Sequence, residues 1–434
     1  MYRRPAMVRR IKSSSSLPLA LLAILSLLSL AARVALIEEP CRSPCRSAAD
    51  HILVFDESYY INAARVIAGL RPPPGARYAD APLGDDPNAE HPQLAKLVMA
   101  GSIELFGDGP LAWRLGSLVC GSLAILGLYV LVRAAGGEPW VALGASALMT
   151  FDNLLLVHGR IGTLDICVLA AMVWAAVAYL RGRPIVAGAL IAIGACCKLV
   201  APYLLLALAV FEALRWLRDH SGGRLRWGRL GACAASTTAV FFTLLAILDR
   251  VAPPYDATAR RLVTGGPFAH LAHMLSYAAS QSSPGGPSGI ASYPWEWLID
   301  LKPITYLNIN PARPAPGLYN IHPAAHFLGM ISPPIMLLAV PALAFALPGG
   351  ARLGNDVGAI ALAWFIGTFL PFELLSLIWS RTSYLYYMVI VMPGIYIAVA
   401  QLIAVTRVNR KAVAVWGVAV VIAAVVMFPF TPLP

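Results

Sequence analysis

From Tyr384 to Ala404 the chain runs without a single charged side chain, and apolar blocks of this length recur from one end to the other. A helix needs about 20 mostly apolar residues to cross the hydrocarbon core of a bilayer. Inside the bilayer every backbone N–H and C=O must be satisfied within the protein, which helices do locally. The blocks therefore dictate an all-α polytopic membrane protein. Composition agrees: of 434 residues, 59% are hydrophobic and 13% charged. A soluble domain carries about 25% charged residues. A soluble globular enzyme, a disordered chain and a disulfide scaffold are all excluded.

Eleven spans are expected, at about 17–37, 114–132, 140–157, 164–180, 184–197, 199–215, 230–248, 327–346, 357–377, 384–404 and 412–429. The fifth is the shortest. Arg3, Arg4, Arg9, Arg10 and Lys12 precede the first span. Its apolar core exceeds the roughly 7–15 residues of a secretory signal, so it is expected to stay as an anchor. With the N-terminus cytoplasmic, 17 of the 33 cations and only four of the 22 acids fall on cytoplasmic segments. That bias sets orientation and places the C-terminus outside. The net charge of +11 is then a topological signal. No nucleic-acid partner is expected, because the cations are scattered over six loops.

The expected organisation is a cytoplasmic N-terminus (1–16), a first transmembrane half (17–248) containing an external loop at 38–113, a second external loop (249–326), and C-terminal transmembrane helices (327–434). Long loops are usually functional or disordered. The first contains two amphipathic stretches, Asp56 to Leu70 and Pro92 to Phe106, with apolar residues at helical spacing. Pro267 to Ala279 is a third candidate helix, followed by the aromatic cluster Tyr293-Pro294-Trp295-Glu296-Trp297. Such rings favour the membrane–water boundary.

Five of the seven cysteines lie in or at spans and read as small hydrophobes. Cys41 and Cys45 sit just outside the first span, where an oxidising compartment allows a disulfide. Zinc is an alternative there, but the sequence shows no second ligand pair with suitable spacing.

Ionisable residues at membrane depth or at its rim are expensive and mark function. The concentrated set is Asp56, Glu57, Glu90, His91, Lys96, Arg114, His158, Arg160, Asp165, Lys198, Glu296, His322, Glu373 and Arg381. Read singly, each has a plain structural explanation: Asp56-Glu57 suits a helix N-cap with an acidic first turn, and the arginines suit lipid phosphate. Mixed carboxylates and cations at the external ends of several helices suit an anionic headgroup and a moving proton. No histidine–acid set has metal-ligand spacing. No cofactor is expected, and a divalent metal is left open.

Taken in order, these residues resemble the protein O-mannosyltransferase (PMT) family of polyprenyl-phosphate-sugar-dependent, GT-C-type glycosyltransferases. Phe55-Asp56-Glu57-Ser58-Tyr59-Tyr60 resembles its Asp-Glu motif. Glu90-His91-Pro92-Gln93-Leu94-Ala95-Lys96-Leu97 is similar to its His-Pro-Pro-Leu-x-Lys segment. Phe106-Gly107, Trp113-Arg114-Leu115 and Gly121 continue the likeness, as do Arg160 to Asp165 with its Leu164-Asp165, and Lys198 after a Gly-rich span. Ser292 to Trp297 and Arg381 to Tyr387 resemble late motifs. Gln93 stands where the family usually has a second proline, Gly329 to Pro334 replaces a Gly-Asn-Pro motif, and no carbohydrate-binding insert occupies the second loop. The missing insert implies a bacterial form in the plasma membrane.

The resemblance implies that a sugar, mannose in this family, passes from a polyprenyl-phosphate carrier to an acceptor hydroxyl outside the membrane. It implies Asp56 as general base, with Glu57 orienting the acceptor or nearby cations. It implies Arg114, Lys198 and Arg381 on the donor phosphate, with His91, Lys96, Arg160, Asp165 and Glu296 completing the substrate site. A hydroxyl nucleophile gains from a positioned carboxylate. A phosphate leaving group needs cations rather than an acid. One base without a covalent carboxylate gives inversion. The expected partners are the lipid-linked donor, a protein or lipid acceptor, and membrane lipids. A transporter or flippase is the alternative, but its charged or broken helices would lie near mid-span, and here the mid-spans are nearly uncharged.

Overall fold

The computed structural model describes residues 16–41, 45–47, 50–218, 227–299, 302–307, 327–406 and 408–428. Five helices are long and apolar enough to cross a membrane: α1 (Ser16–Val34), α4 (Pro110–Ala134), α10 (Trp227–Val251), α15 (Val357–Trp379), and α16 (Met388–Val405) together with the turn that leads into it. Shorter apolar helices are α5 (Pro139–Thr150), α7 (Asp165–Leu180), α8 (Pro184–Ala195) and α14 (Ala339–Leu353). Proline opens α4, α5 and α8 in the first turn, where its missing N–H costs nothing. Helices α9 (Tyr203–Arg218) and α17 (Arg410–Val426) fill the two other expected blocks.

Burial separates the centre of the bundle from its rim. The stretch 385–405 is 72% buried over its most apolar window, whereas α1 and α10 are 22% buried over theirs. Helix α16 is therefore central, packed by α5, α7, α14 and α15. Helix α4 packs on α7, α7 on α8, α8 on α10, and α9 on α15. Leu27, Leu28, Ile185, Ile247, Ile378 and Val425 face outward. An apolar rim of this extent is suited to lipid and not to water.

Both amphipathic helices expected in the first long segment are present, α2 (Glu57–Ile67) and α3 (Leu94–Phe106). So is α11 (Gly266–Ser280), while the aromatic cluster forms the single turn α12 (Pro294–Trp297). Three expectations need correction. The block 140–157 is broken: α5 stops at Thr150 and α6 (Asn153–His158) restarts after Asp152, whose carboxylate accepts from the Leu154 N–H at 2.9 Å. A polar N-cap inside an apolar block ends one helix and starts another.

The block 327–346 begins as a strand, and helix resumes only at α13 (Pro333–Met336) and α14. The chain is also not purely helical. The second long segment carries β1 (Tyr255–Asp256) paired antiparallel with β2 (Arg261–Leu262), and β3 (Ile304–Leu307), which pairs antiparallel with β4 (Phe327–Gly329) at the start of the next block. Gly329 is required in the second pair, because a Cβ there would lie 2.1 Å from the Tyr306 ring. His322 lies outside the described residues.

Candidate active site

Phe55 turns the chain into α2 with φ +53°, a left-handed conformation that a bulky residue adopts only when its surroundings hold it there. The holders are aromatic: the Phe55 ring lies 4.6 Å from Tyr306 and 5.4 Å from Tyr386. This turn presents two consecutive carboxylates in different directions, since successive helical residues point about 100° apart.

Glu57 points inward and is fully buried. Its Oε1 accepts from Arg114 Nε at 2.9 Å and from the Gly162 N–H at 2.7 Å, and its Oε2 accepts from Arg114 Nη2 at 3.0 Å and from the Val54 N–H at 2.8 Å. Burial alone would raise its pKa, but Arg114 and the backbone N–H groups outweigh burial and hold it below the usual value. Gly162 must approach closely to donate, and a Cβ there would sit 2.7 Å from Ile61 Cδ1.

Asp56, unlike Glu57, is only half-buried. It occupies the N-cap position of α2 yet makes no side-chain cap hydrogen bond, so the capping explanation of this residue fails. The Tyr60 hydroxyl donates to its carboxylate, and the charges of Lys198, Asp165 and Arg77 reach it. Burial, with Asp165 adding and Lys198 and Arg77 opposing, leaves its pKa pushed up to about 6.

Lys198 comes from the junction of α8 and α9. Its Nζ lies 2.8 Å and 3.0 Å from the two carboxylate oxygens of Asp165, the first residue of α7. It also lies 5.0 Å from the Tyr386 ring centre and 5.5 Å from that of Tyr387. His91 is kept neutral by burial and by the charges of Lys198, Lys96 and Arg381. Arg381 donates through Nη1 to the Ala278 carbonyl, its one hydrogen bond among the described residues through the guanidinium, and it is only half-buried. His158 Nε2 and the Tyr306 hydroxyl are 2.8 Å apart beneath this group.

The structure thus brings Asp56, Asp165 and Lys198 together, and Lys198 and Arg381 both act on His91. It places the other five expected site residues elsewhere. Glu57 and Arg114 form the buried pair, with Arg114 Nη1 also donating to the Ile37 and Glu39 carbonyls at 2.6 Å and 2.9 Å. Arg160 Nη2 donates to the Leu36 carbonyl. Lys96 is fully buried, 2.5 Å from Asp86 and within 2.8 Å of the Asn88 and His91 carbonyls. Glu296 caps α12, accepting from the Tyr293 N–H at 2.7 Å.

Sequence reasoning passed over Tyr60, Tyr306 and Arg77, the last lying 3.8 Å over the Tyr59 ring. Tyr60 was visible inside the Asp-Glu motif, one helical turn after Asp56. Tyr306 carried no signal of its own.

Comparisons with known proteins bear on the family and the fold. Residues 90–245 match the family model described as dolichyl-phosphate-mannose-protein mannosyltransferase. A polyprenol-phosphate-mannose–protein mannosyltransferase of Corynebacterium glutamicum is 33% identical over 130 residues, which cover 30% of this chain and 24% of that protein. The aligned part is therefore about a quarter of that relative's length. A protein of the same description from Mycolicibacterium smegmatis is 23% identical across 72% of this chain and 70% of its own length. The fold resembles the S. cerevisiae protein O-mannosyltransferase Pmt1-Pmt2 complex bound to the sugar donor, with TM-score 0.65 and 11% identity over 96% of this chain and 89% of that one. At such identity the likeness is one of fold. The resemblance to the PMT family read from the motifs is borne out by the family model, by the relatives and by the fold.

Proposed function

We propose that this chain, a relative of the dolichyl-phosphate-mannose-protein mannosyltransferases, moves mannose from a polyprenyl-phosphate carrier to a hydroxyl of a protein acceptor. The observation that carries the reading is the Asp56 carboxylate. It is half-buried, neither caps its helix nor forms an ion pair among the described residues, and lies within reach of the Lys198 charge, while Lys198 and Arg381 both act on the neighbouring His91.

Asp56 takes the proton of the acceptor hydroxyl as its oxygen bonds to the anomeric carbon of the sugar. The bond from that carbon to the phosphate oxygen breaks on the opposite face, which inverts the configuration. The phosphate leaves with its own charge, and cations held in place before the reaction stabilise it without reorganisation. Lys198 and Arg381 are those cations. Arg114 is withdrawn from that role, because Glu57 and two backbone carbonyls occupy its guanidinium. Asp165 aims the Lys198 ammonium. The neutral His91 ring offers a hydrogen bond without adding charge.

The same reading places the eleven expected spans in a bacterial plasma membrane, with the N-terminus cytoplasmic and Asp56 on the outside. The cation bias of the loops supports it. A cytoplasm-only reporter fused after Pro434 is then silent, and activity there would overturn the span count.

The function is tested by incubating purified protein with polyprenyl-phosphate mannose, acceptor peptides and lipids, followed by mass spectrometry. The expected product is a peptide carrying one hexose on Ser or Thr. A mannosylated lipid with unmodified peptides would overturn the protein acceptor, and no transfer to either would overturn the transferase reading.

A further inference from the structure

Arg77 lies in the first long segment, between α2 and α3, and a closed loop carries it. Arg71 Nη1 donates to the Ala79 carbonyl at 3.1 Å and ties the two ends of that loop together. Within it the Ala76 N–H donates to the Pro73 carbonyl at 2.9 Å, and the Ala81 N–H to the Tyr78 carbonyl at 3.0 Å. Tyr78 has φ +64°, a conformation that a bulky residue keeps only when its surroundings hold it. Asn88 is a holder: its Nδ2 donates to the Tyr78 hydroxyl at 3.2 Å, and its carbonyl accepts from the buried Lys96 at 2.6 Å. Lys96 thus serves the loop from beneath.

Arg77 itself is exposed, and its guanidinium carbon lies 3.8 Å from the centre of the Tyr59 ring. Tyr59 follows Asp56 by three residues at the start of α2, and residues three apart on a helix share a face. The guanidinium is therefore stationed beside the proposed base. Among the described residues it has no hydrogen bond and no ion pair. An aromatic ring restrains a guanidinium without using any of its five N–H donors. An arginine ordered in this way is matched to an anion, and its planar fork fits a carboxylate or a phosphate with two parallel bonds.

Two anions can approach Asp56 in the proposed reaction, the donor phosphate and an acid on the acceptor. The phosphate is tied to a lipid carrier and arrives from the membrane side, where Lys198 stands at the junction of α8 and α9. A peptide arrives from water, and Arg77 stands in an exposed loop. An acid close to the acceptor hydroxyl would be repelled by the Asp56 carboxylate unless a cation accompanied it.

We propose that Arg77 determines acceptor specificity: its guanidinium, over Tyr59 and one turn from Asp56, binds an Asp or Glu side chain of the acceptor close in sequence to the hydroxyl that receives mannose. The proposal rests on the protein-acceptor reading and adds to it which peptides are taken.

The test uses the full chain in detergent, polyprenyl-phosphate mannose, and paired peptides with one Thr flanked either by Glu or by Gln. Wild-type protein is expected to favour the Glu peptide by about tenfold in kcat/KM, the size of one hydrogen bond to a charged group. The difference should lie in KM, as for an interaction made before the reaction begins. Arg77→Ala brings the ratio to about one. Arg77→Lys keeps only part of it, since the charge stays and the fork is lost. Arg77→Glu reverses it and favours a peptide with flanking Lys. Each ratio compares two peptides on one protein, so a changed titration of Asp56 cancels.

Equal use of the Glu and Gln peptides by wild-type protein would overturn the proposal and leave the transferase reading standing. A ratio that survives in Arg77→Ala would do the same. Loss of donor affinity in Arg77→Ala, measured without acceptor, would assign the guanidinium to the phosphate instead. Transfer to no peptide at all would remove the protein-acceptor reading, and this inference with it.

Discussion

Gln93 donates through Nε2 to Asp249 Oδ1 at 2.8 Å, joining the residue before α3 to the last turns of α10 across 156 positions of sequence. His270 of α11 reaches the same oxygen with Nδ1 at 2.7 Å, and its Nε2 faces the Ala89 carbonyl at 3.1 Å. Both ring nitrogens thus lie at hydrogen-bond distance from an oxygen, tying α11 to Asp249 and to the Ala89 carbonyl. Gln93 is the residue that departs from the family's second proline, and a proline has no donor for this bond. Removing one partner from a buried acceptor costs about 1–3 kcal/mol. Gln93→Leu is therefore expected to lower thermal stability in detergent by that amount, read as a shift of Tm. An unchanged Tm would show that the two long segments are joined by other contacts.

Asp56→Asn and Asp56→Ala are both expected to lose about 10²–10⁴-fold in turnover while donor binding persists. Asn caps a helix about as well as Asp, so a purely capping role would spare the Asn variant. The signs for stability run opposite to those for activity. The folded carboxyl, pushed up from 3.8 to about 6, binds a proton that the unfolded one has already released, so stability falls as pH rises through that window. At neutral pH Asp56→Asn is expected to raise stability, by at most about 3 kcal/mol. A variant that is both dead and less stable would contradict this placement of the residue.

The pH profile separates the two cations. Wild-type turnover is expected to fall below about pH 6 as Asp56 takes up a proton. Lys198 opposes protonation of Asp56 and Asp165 promotes it. Lys198→Met therefore moves the acid limb to higher pH as well as weakening donor binding. Arg381 is not among the largest influences on Asp56, so Arg381→Ala weakens donor binding and moves the limb less than Lys198→Met does. Rate profiles of the two variants between pH 5 and 8, roughly the range in which such groups titrate, check this. Limbs that move together would place both cations against the base.

Glu57→Gln and Arg114→Ala are expected to act on folding first. Breaking a buried ion pair leaves an uncompensated charge and costs about 3–5 kcal/mol. Each single variant is expected to lose stability by that order, and the double variant Glu57→Gln, Arg114→Met by less than the sum. Any fraction that folds should bind donor with near wild-type affinity. Intact stability with lost donor affinity in Arg114→Ala would return Arg114 to the phosphate.

The amphipathic helices were legible because their signal is local. Tyr59, Ala63, Val66 and Leu70 repeat at helical spacing, and α2 forms there. The proposed base and its neighbouring cations were legible only as a pattern of motifs. What could not be read was which charges look inward. Arg114 and Arg381 are the same residue type at comparable positions, yet one is spent on Glu57 and the other is half open. That difference is set by what packs 57 residues away in sequence. Tyr306 was illegible for a similar reason: a four-residue strand gains meaning only from its partner β4, and that pairing is non-local. The break at Asp152 was readable, since an Asp-Asn pair inside an apolar block is a helix-start signal.

The adjacency of Asp56 and Glu57 limits how this chain can vary in length. Inserting or deleting one residue between Val54 and Tyr60 would rotate the start of α2 by about 100°. Glu57 would lose its partners Arg114 and Gly162, and Asp56 would turn toward them in its place. Length changes are therefore forbidden within that short interval. Homologues aligned across this region should show gaps before Val54 and none from Val54 to Tyr60.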